Sequence, residues 1–338
     1  MTTNQPNVDA TVGDLGEQGI LDAMLPLLDS EQASLGPGDD AGALRVRGTE
    51  VLVSVDTLVE NQDFRLIWPS GLEHRAYDIG WKSIAQNVSD INAMGGHATG
   101  AVISLSLPKD TSVEWVRDFS RGIAEAIQGL GAQKLTILGG DLGKSQEISV
   151  TTTVLGECEH GKVLRSGVQV GDRIAAAGRV GAAGAGLSVL EHDRNEQVWS
   201  RAVRRLVQAQ CRPVPPLESG PRAAEAGATA MMDISDGLIR DAGRLAKASH
   251  VNLELESSAL QDYAVRLEAA SELTGTDPMS WVLYGGEDFG LLAAFPEGIE
   301  IPEEFTVIGA AKPANGRRAV VKLDGKVSKP ETGFDHFG

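Results

Sequence analysis

Six short acidic stretches organise this 338-residue chain: GPGDDA at 36–41, SVDT at 54–57, NVSD at 87–90, GGDLGKS at 139–145, DISDG at 233–237 and GGED at 285–288. Most share one design, in which an apolar run ends, small residues turn the backbone, and aspartate follows. NVSD differs in falling late in a helical pattern. Aspartate is common in turns because its side chain bonds nearby backbone N–H groups, so any single stretch also reads as a solvated turn. Open sheets bind ligands beyond the carboxyl ends of their strands, and six such stretches in one chain point to carboxylates converging there. Hard oxygen ligands without His or Cys suit Mg2+, which bridges carboxylate to phosphate.

The stretch Met231–Asp241 states the design most fully. Thr229–Met232 reads as a strand, and Leu238, Ile239, Ala242, Leu245 and Ala246 recur at helical spacing. Asp233, Ser235, Asp236 and Gly237 occupy the handover. One cap residue would satisfy a helix start, so two carboxylates suggest a cation or a metal-bound phosphate in front of them. GGDLGKS and GRVGAAGAG are glycine-rich turns whose backbone N–H groups can approach phosphate. Lys144 and Arg165 stand beside such turns, and Lys144 reads as a solvated charge. No P-loop, GxSxG motif or dinucleotide fingerprint is present.

Strand and helix patterns alternate in both halves, which predicts α/β and α+β domains. Strands are expected at Val51–Val55, Ala101–Leu107, Leu135–Leu138, Ile148–Leu155, Arg173–Ala177, Val251–Leu255, Phe305–Ile308 and Ala319–Val321. Helices are expected at Leu15–Leu28, Asp78–Met94, Val113–Leu130, from Leu187, at Ala202–Ala209 and around Tyr263–Ser271, and residues 1–12 read as disordered. The polar, glycine-rich stretch after Glu157 reads as a joint, giving domains at 1–157 and 158–338.

A net charge of −17 with no basic stripe argues against nucleic acid. No apolar run reaches membrane-spanning length. The polar N-terminal segment lacks a signal-peptide pattern, so the expected location is cytoplasmic. Cys158 and Cys211 have no metal-ligand spacing and read as structural thiols.

GPGDDAGAL, SVDTLVE, NVSDINAMGG, GGDLGKS, LRSGVQVGD, DISDGLIRD, GGEDFGLL and GFDHF resemble, in order and spacing, the thiamine-monophosphate kinase family. The resemblance runs from Gly36 to Phe337. It implies a two-domain architecture like that of aminoimidazole ribonucleotide synthetase, with the N-terminal domain pairing into a barrel across a homodimer. It implies Mg2+ ligands at Asp40, Ser54, the Val55 backbone, Asp56, Asp90, Asp141, Asp233 and Asp236. It also implies ATP contacts at Gly140, Asp141, Arg165 and Ser235. The substrate contacts it implies are Glu287, Phe334 and the position held by Asp63. The chain departs from the family in two places: Asp63 replaces the usual histidine, and Phe334 replaces a tyrosine.

The implied reaction is in-line transfer of the ATP γ-phosphoryl group onto thiamine monophosphate. A phosphate monoester has its second pKa at about 6, so the nucleophile is already charged and no residue is expected as general base. Other acceptors within the superfamily, or a non-catalytic nucleotide- or metal-binding module, are the competing readings. The chain lacks the early cysteine of selenophosphate synthesis and the C-terminal cysteine of the hydrogenase-maturation relatives.

Overall fold

The computed structural model describes residues 33–35, 39–46, 49–192, 196–314, 316 and 318–328. The helix expected at Leu15–Leu28, the disorder expected over 1–12, and Phe334 lie outside the described residues.

The first sheet is built from β1 (Ala33–Leu35), β2 (Gly42–Val46), β3 (Thr49–Val59), β4 (His97–Leu107), β5 (Thr136–Lys144) and β6 (Ser149–Glu157), in the order β1-β2-β3-β6-β4-β5. All its pairings are antiparallel except β4 with β5. Two helices cover one face, α1 (Ala76–Ala93) and α2 (Val113–Gly129). The second provides the crossover that a parallel pair requires. Ser112 starts it by accepting the Trp115 N–H at 3.1 Å. Along β3, Leu52, Ser54 and Leu58 face inward with Asp56, while Val55 on the opposite face is exposed.

After β6 come β7 (Arg173–Ala177), α3 (Ala182–Leu190), α4 (Arg201–Cys211), α5 (Ser219–Glu225), β8 (Ala230–Ile234), α6 (Leu238–Ser249) and β9 (Val251–Leu255). Then follow α7 (Ser257–Val265), α8 (Glu268–Thr274), α9 (Pro278–Tyr284), β10 (Gly290–Phe295), β11 (Phe305–Pro313), β12 (Val321–Leu323) and β13 (Lys326–Val327). The second sheet runs β13-β12-β9-β11-β7-β10-β8. Strands β8 and β10 are buried along their whole length, as is β7 apart from Arg173. Hydrophobic cores lie in both halves, one led by Ile79, Ile84 and Ile91 and the other by Ile174, Leu190 and Met232.

Helix α1 joins the halves. All its residues are buried except Asp78, Trp81 and Asp90. Asn92 Oδ1 accepts the Gly220 N–H at 2.9 Å, Trp81 Nε1 donates to the Pro213 carbonyl at 2.8 Å, and Asp78 pairs with Arg212 at 3.0 Å.

Four sequence expectations need correction. GGDLGKS is mostly strand, because β5 continues from Thr136 through Lys144. Its glycines permit close approach to β4: a Cβ on Gly140 would lie 1.9 Å from the Ile103 carbonyl oxygen. SVDT lies inside β3, paired through to β6, rather than at a strand end. GAAGAG is helical from Ala182, so α3 begins five residues before the expected Leu187. The helix around Tyr263–Ser271 divides into α7 and α8, with Arg266 and Leu267 between them.

Candidate active site

Three segments bring Asp40, Asp90 and Asp233 together. Asp40 precedes β2, Asp90 is on the last turn of α1, and Asp233 is on β8 of the other half. One carboxylate oxygen from each lies within 4.8 Å of the others. Ser54 Oγ lies 2.5 Å from Asp90 Oδ2 and 3.2 Å from the Asp40 carbonyl oxygen. Arg165 braces the rim: its guanidinium is 3.0 Å from Asp40 Oδ1 and 3.3 Å from Asp39 Oδ1, and its N–H donates to Asp39 Oδ2 at 3.1 Å.

Burial pushes Asp40 up to about 6, against the pull of Arg165. It drives Asp90 well above the usual carboxylate range, helped by the charges of Asp56 and Asp40. Asp233 rises likewise, through burial and then the charges of Asp40 and Asp90. Like charges this close resist joint ionisation. Asp40 Oδ2 is buried with no hydrogen-bond partner. A hard divalent cation answers both features, since it takes oxygen donors and cancels their repulsion; the residues present fit Mg2+.

The other expected residues are distributed unevenly. Asp56 donates its N–H to Asn87 Oδ1 at 3.0 Å, and its charge reaches Asp90. Ser235 Oγ is 3.4 Å from Asp233 Oδ1. Asp236 stands outside the three-carboxylate group, with Arg244 at 2.5 Å and Arg240 at 4.0 Å. Gly140 and Asp141 lie on β5, exposed to solvent.

GRVGAAGAG does not offer the open N–H cradle expected of it. Asp288, from GGED, accepts the Gly181 N–H at 2.5 Å and the Ala183 N–H at 2.8 Å at the start of α3. A helix N-terminus needs such an acceptor, and here another motif of the chain supplies it. Asp241 plays a similar part in the DISDG turn, accepting the Asp236 N–H at 2.9 Å while Arg244 sits 3.0 Å from its other oxygen. Gly237 in that turn has a φ of 110°, outside the range of ordinary side chains.

Of the expected substrate contacts, Glu287 pairs with Lys82 and accepts a hydrogen bond from Gln210 Nε2. Asp63 closes its own turn, its Oδ2 accepting the Val59 N–H at 2.7 Å. Nearby, His74 accepts from Trp68 Nε1 at 3.3 Å, and burial holds its imidazole neutral, its pKa down to about 3. Arg65 is engaged by Glu191 at 3.0 Å. Lys82, Gln210, Asp241 and Asp288 were not singled out from sequence. Glu287 lies far along the chain from Lys82 and Gln210, as Gly181 does from Asp288, whereas Asp241 closes its own DISDG turn; Asp241 and Asp288 both stand within recognised motifs.

The two halves correspond to the AIR synthase related N-terminal domain over residues 38–158 and C-terminal domain over residues 169–297. The class is therefore the two-domain AIR synthase related proteins, whose mixed α/β folding the two sheets reproduce. Within that class, the chain belongs to the thiamine-monophosphate kinase family. It is 34% identical to the thiamine-monophosphate kinase of Mycobacterium tuberculosis over 333 residues, covering 97% of this chain and 93% of that protein. A solved structure of AaThiL complexed with AMPPCP and TMP is 31% identical, covers 98% of this chain and 100% of that one, and superposes with a TM-score of 0.85. The crystal structure of thiamine monophosphate kinase from Aquifex aeolicus covers 92% of this chain and 97% of that one at 31% identity, with a TM-score of 0.78.

Proposed function

We propose that the chain is an ATP-dependent kinase that converts thiamine monophosphate to thiamine diphosphate, releasing ADP, in thiamine diphosphate biosynthesis. The observation that carries the reading is the meeting of Asp40, Asp90 and Asp233 from both halves of the chain, in a family whose solved relative was complexed with AMPPCP and TMP. Residues 1–157 would form the ATP- and metal-binding domain, and residues 158–338 would complete the site.

Asp40, Asp90 and Asp233 would hold Mg2+, with Ser54, the Val55 backbone, Asp56, Asp141 and Asp236 as the remaining proposed ligands. Bound Mg2+ would neutralise the polyphosphate and stabilise the charge that develops during phosphoryl transfer. Arg165 fixes the Asp40 carboxylate through an ion pair and stands ready to meet ATP, together with Gly140, Asp141 and Ser235. Ser54 orients Asp90 through its hydroxyl. Asp63, Glu287 and Phe334 are proposed to receive the thiamine end. None of the described groups needs to remove a proton, because the acceptor phosphate is largely ionised near neutral pH.

Purified protein with ATP and Mg2+ should release ADP only when thiamine monophosphate is present. ADP release that ignores this acceptor, or ATP binding without turnover, would overturn the assignment. We extend the reading to a homodimer. It is supported by an open sheet face carrying Val55 and Val102, and by β5, exposed along nearly its whole length. Sedimentation showing a monomer at micromolar concentration counts against this part. A cytoplasmic location goes with the use of ATP, and no described helix is long and apolar enough to cross a membrane.

A further inference from the structure

Lys82 is a lysine whose burial needs a reason. It sits in the first half of α1 with 1% of its surface exposed. An ammonium group removed from water is costly unless partners replace the water. Its Nζ donates to the Asp63 carbonyl at 3.1 Å and pairs with Glu287 Oε1. Gln210 Nε2, from α4, donates to the other Glu287 oxygen. One side chain of the N-terminal half thus ties the turn after β3 to the GGED loop of the other half.

Glu287 is also held in an unusual backbone conformation. Its φ is 65°, and its N–H donates to the Ser235 carbonyl at 2.7 Å. A non-glycine residue there is strained unless its surroundings fix it, and such strain collects at ligand-binding sites. Gln210 Oε1 is buried with no hydrogen-bond partner, which leaves this trio able to accept one more donor.

We propose that Lys82 is a positioning residue for the phosphoryl acceptor. It sets Glu287 and the Asp63 turn at a fixed separation across the two domains, so that the acceptor end of the site is assembled before the acceptor arrives. Because Lys82 balances its charge, Glu287 meets a bound molecule as an oriented hydrogen-bond acceptor and not as a net counter-charge. The inference rests on the kinase reading above, in which Asp63 and Glu287 face the thiamine end.

The test uses Lys82→Met, Glu287→Gln and the double variant of the full chain. A charged hydrogen-bonded pair is worth enough that Lys82→Met should raise KM for thiamine monophosphate about tenfold or more, with KM for ATP within about twofold of the parent. The double variant should match Glu287→Gln alone, because Lys82 acts through Glu287. Losses that multiply, or an equal rise in KM for ATP, would overturn the proposal. If Lys82→Met does not fold, the double variant leaves neither charge buried alone, and its comparison with Glu287→Gln decides the question. Should the parent show no turnover with thiamine monophosphate, the kinase reading fails, and hydrogen exchange still judges Lys82. Faster exchange at both 60–64 and 285–289 in Lys82→Met supports the tie between them, and unchanged exchange at either overturns it.

Discussion

Two groups of buried aspartates differ in what their oxygens face. Asp40, Asp90 and Asp233 face one another, whereas Asp241 and Asp288 face backbone N–H groups. Burial raises the pKa in both groups, to about 6 for Asp40 and about 7 for Asp241 and Asp288. Loss of water is therefore common to both and distinguishes neither. Asp288 closes a helix start, and Asp241 closes a turn with Arg244 beside it. The first group retains an unpartnered oxygen on Asp40 and mutual repulsion that its neighbours do not cancel. A buried carboxylate answered by backbone donors belongs to the architecture; one answered mainly by other carboxylates implies a cation.

The contrast is tested most severely by Asp233→Asn. Metal-held charge stabilisation amounts to several kcal/mol, so turnover should fall by about a hundredfold or more. The thermal midpoint should hold or rise, since one of three like charges is gone. Steady-state kinetics and melting curves check both halves of that statement, and a large loss of stability would merge the two groups. Asp288→Ala should do the reverse and destabilise by about 2–4 kcal/mol in urea melts, by leaving buried N–H donors without an acceptor. A loss below about 0.5 kcal/mol would deny Asp288 its architectural role.

Ser54→Ala sharpens the same contrast from the side of the carboxylate group. Without the hydroxyl that orients Asp90, Mg2+ affinity measured by calorimetry should weaken about tenfold. The smallest effect is on pH dependence. A folded-state pKa raised above its unfolded value means that the native chain holds the proton more tightly. For Asp40, the metal-free protein should lose stability as pH rises from 3.8 through about 6. Saturating Mg2+ should flatten that decline in melting experiments, and Asp40→Asn should flatten it without metal. A decline insensitive to both would assign it to Asp288 and Asp241.

Much of this was legible in the chain, for reasons that particular residues make plain. Arg173–Ala177 and Val251–Leu255 were read with their observed bounds because apolar runs between turn signals are strong local patterns. The meeting of Asp40, Asp90 and Asp233 was legible because all three stand in ordered motifs. GGDLGK was misread as a turn, since its glycines erase the alternation that marks a strand; its pairing with β4 supplies what local sequence lacks. The end-of-strand geometry failed at Asp56 as well, because pairing with β6 carries β3 on through Val59. Lys82 gave no signal, because a lone lysine in a helical pattern ordinarily points to water. Asp288 was visible, but its role depends on Gly181, 107 positions away.

Helix α1 carries Lys82, Asn87, Asp90 and Asn92, which reach respectively the GGED loop, β3, the carboxylate group and α5. Successive residues of a helix are turned by about 100° from one another. One residue inserted between Lys82 and Asp90 would swing one end of this shaft out of phase with the other, so the GGED-loop end and the carboxylate end cannot be retimed separately. Divergence within this architecture has to proceed by exchanging the side chains at fixed stations along the shaft, while its length is held constant.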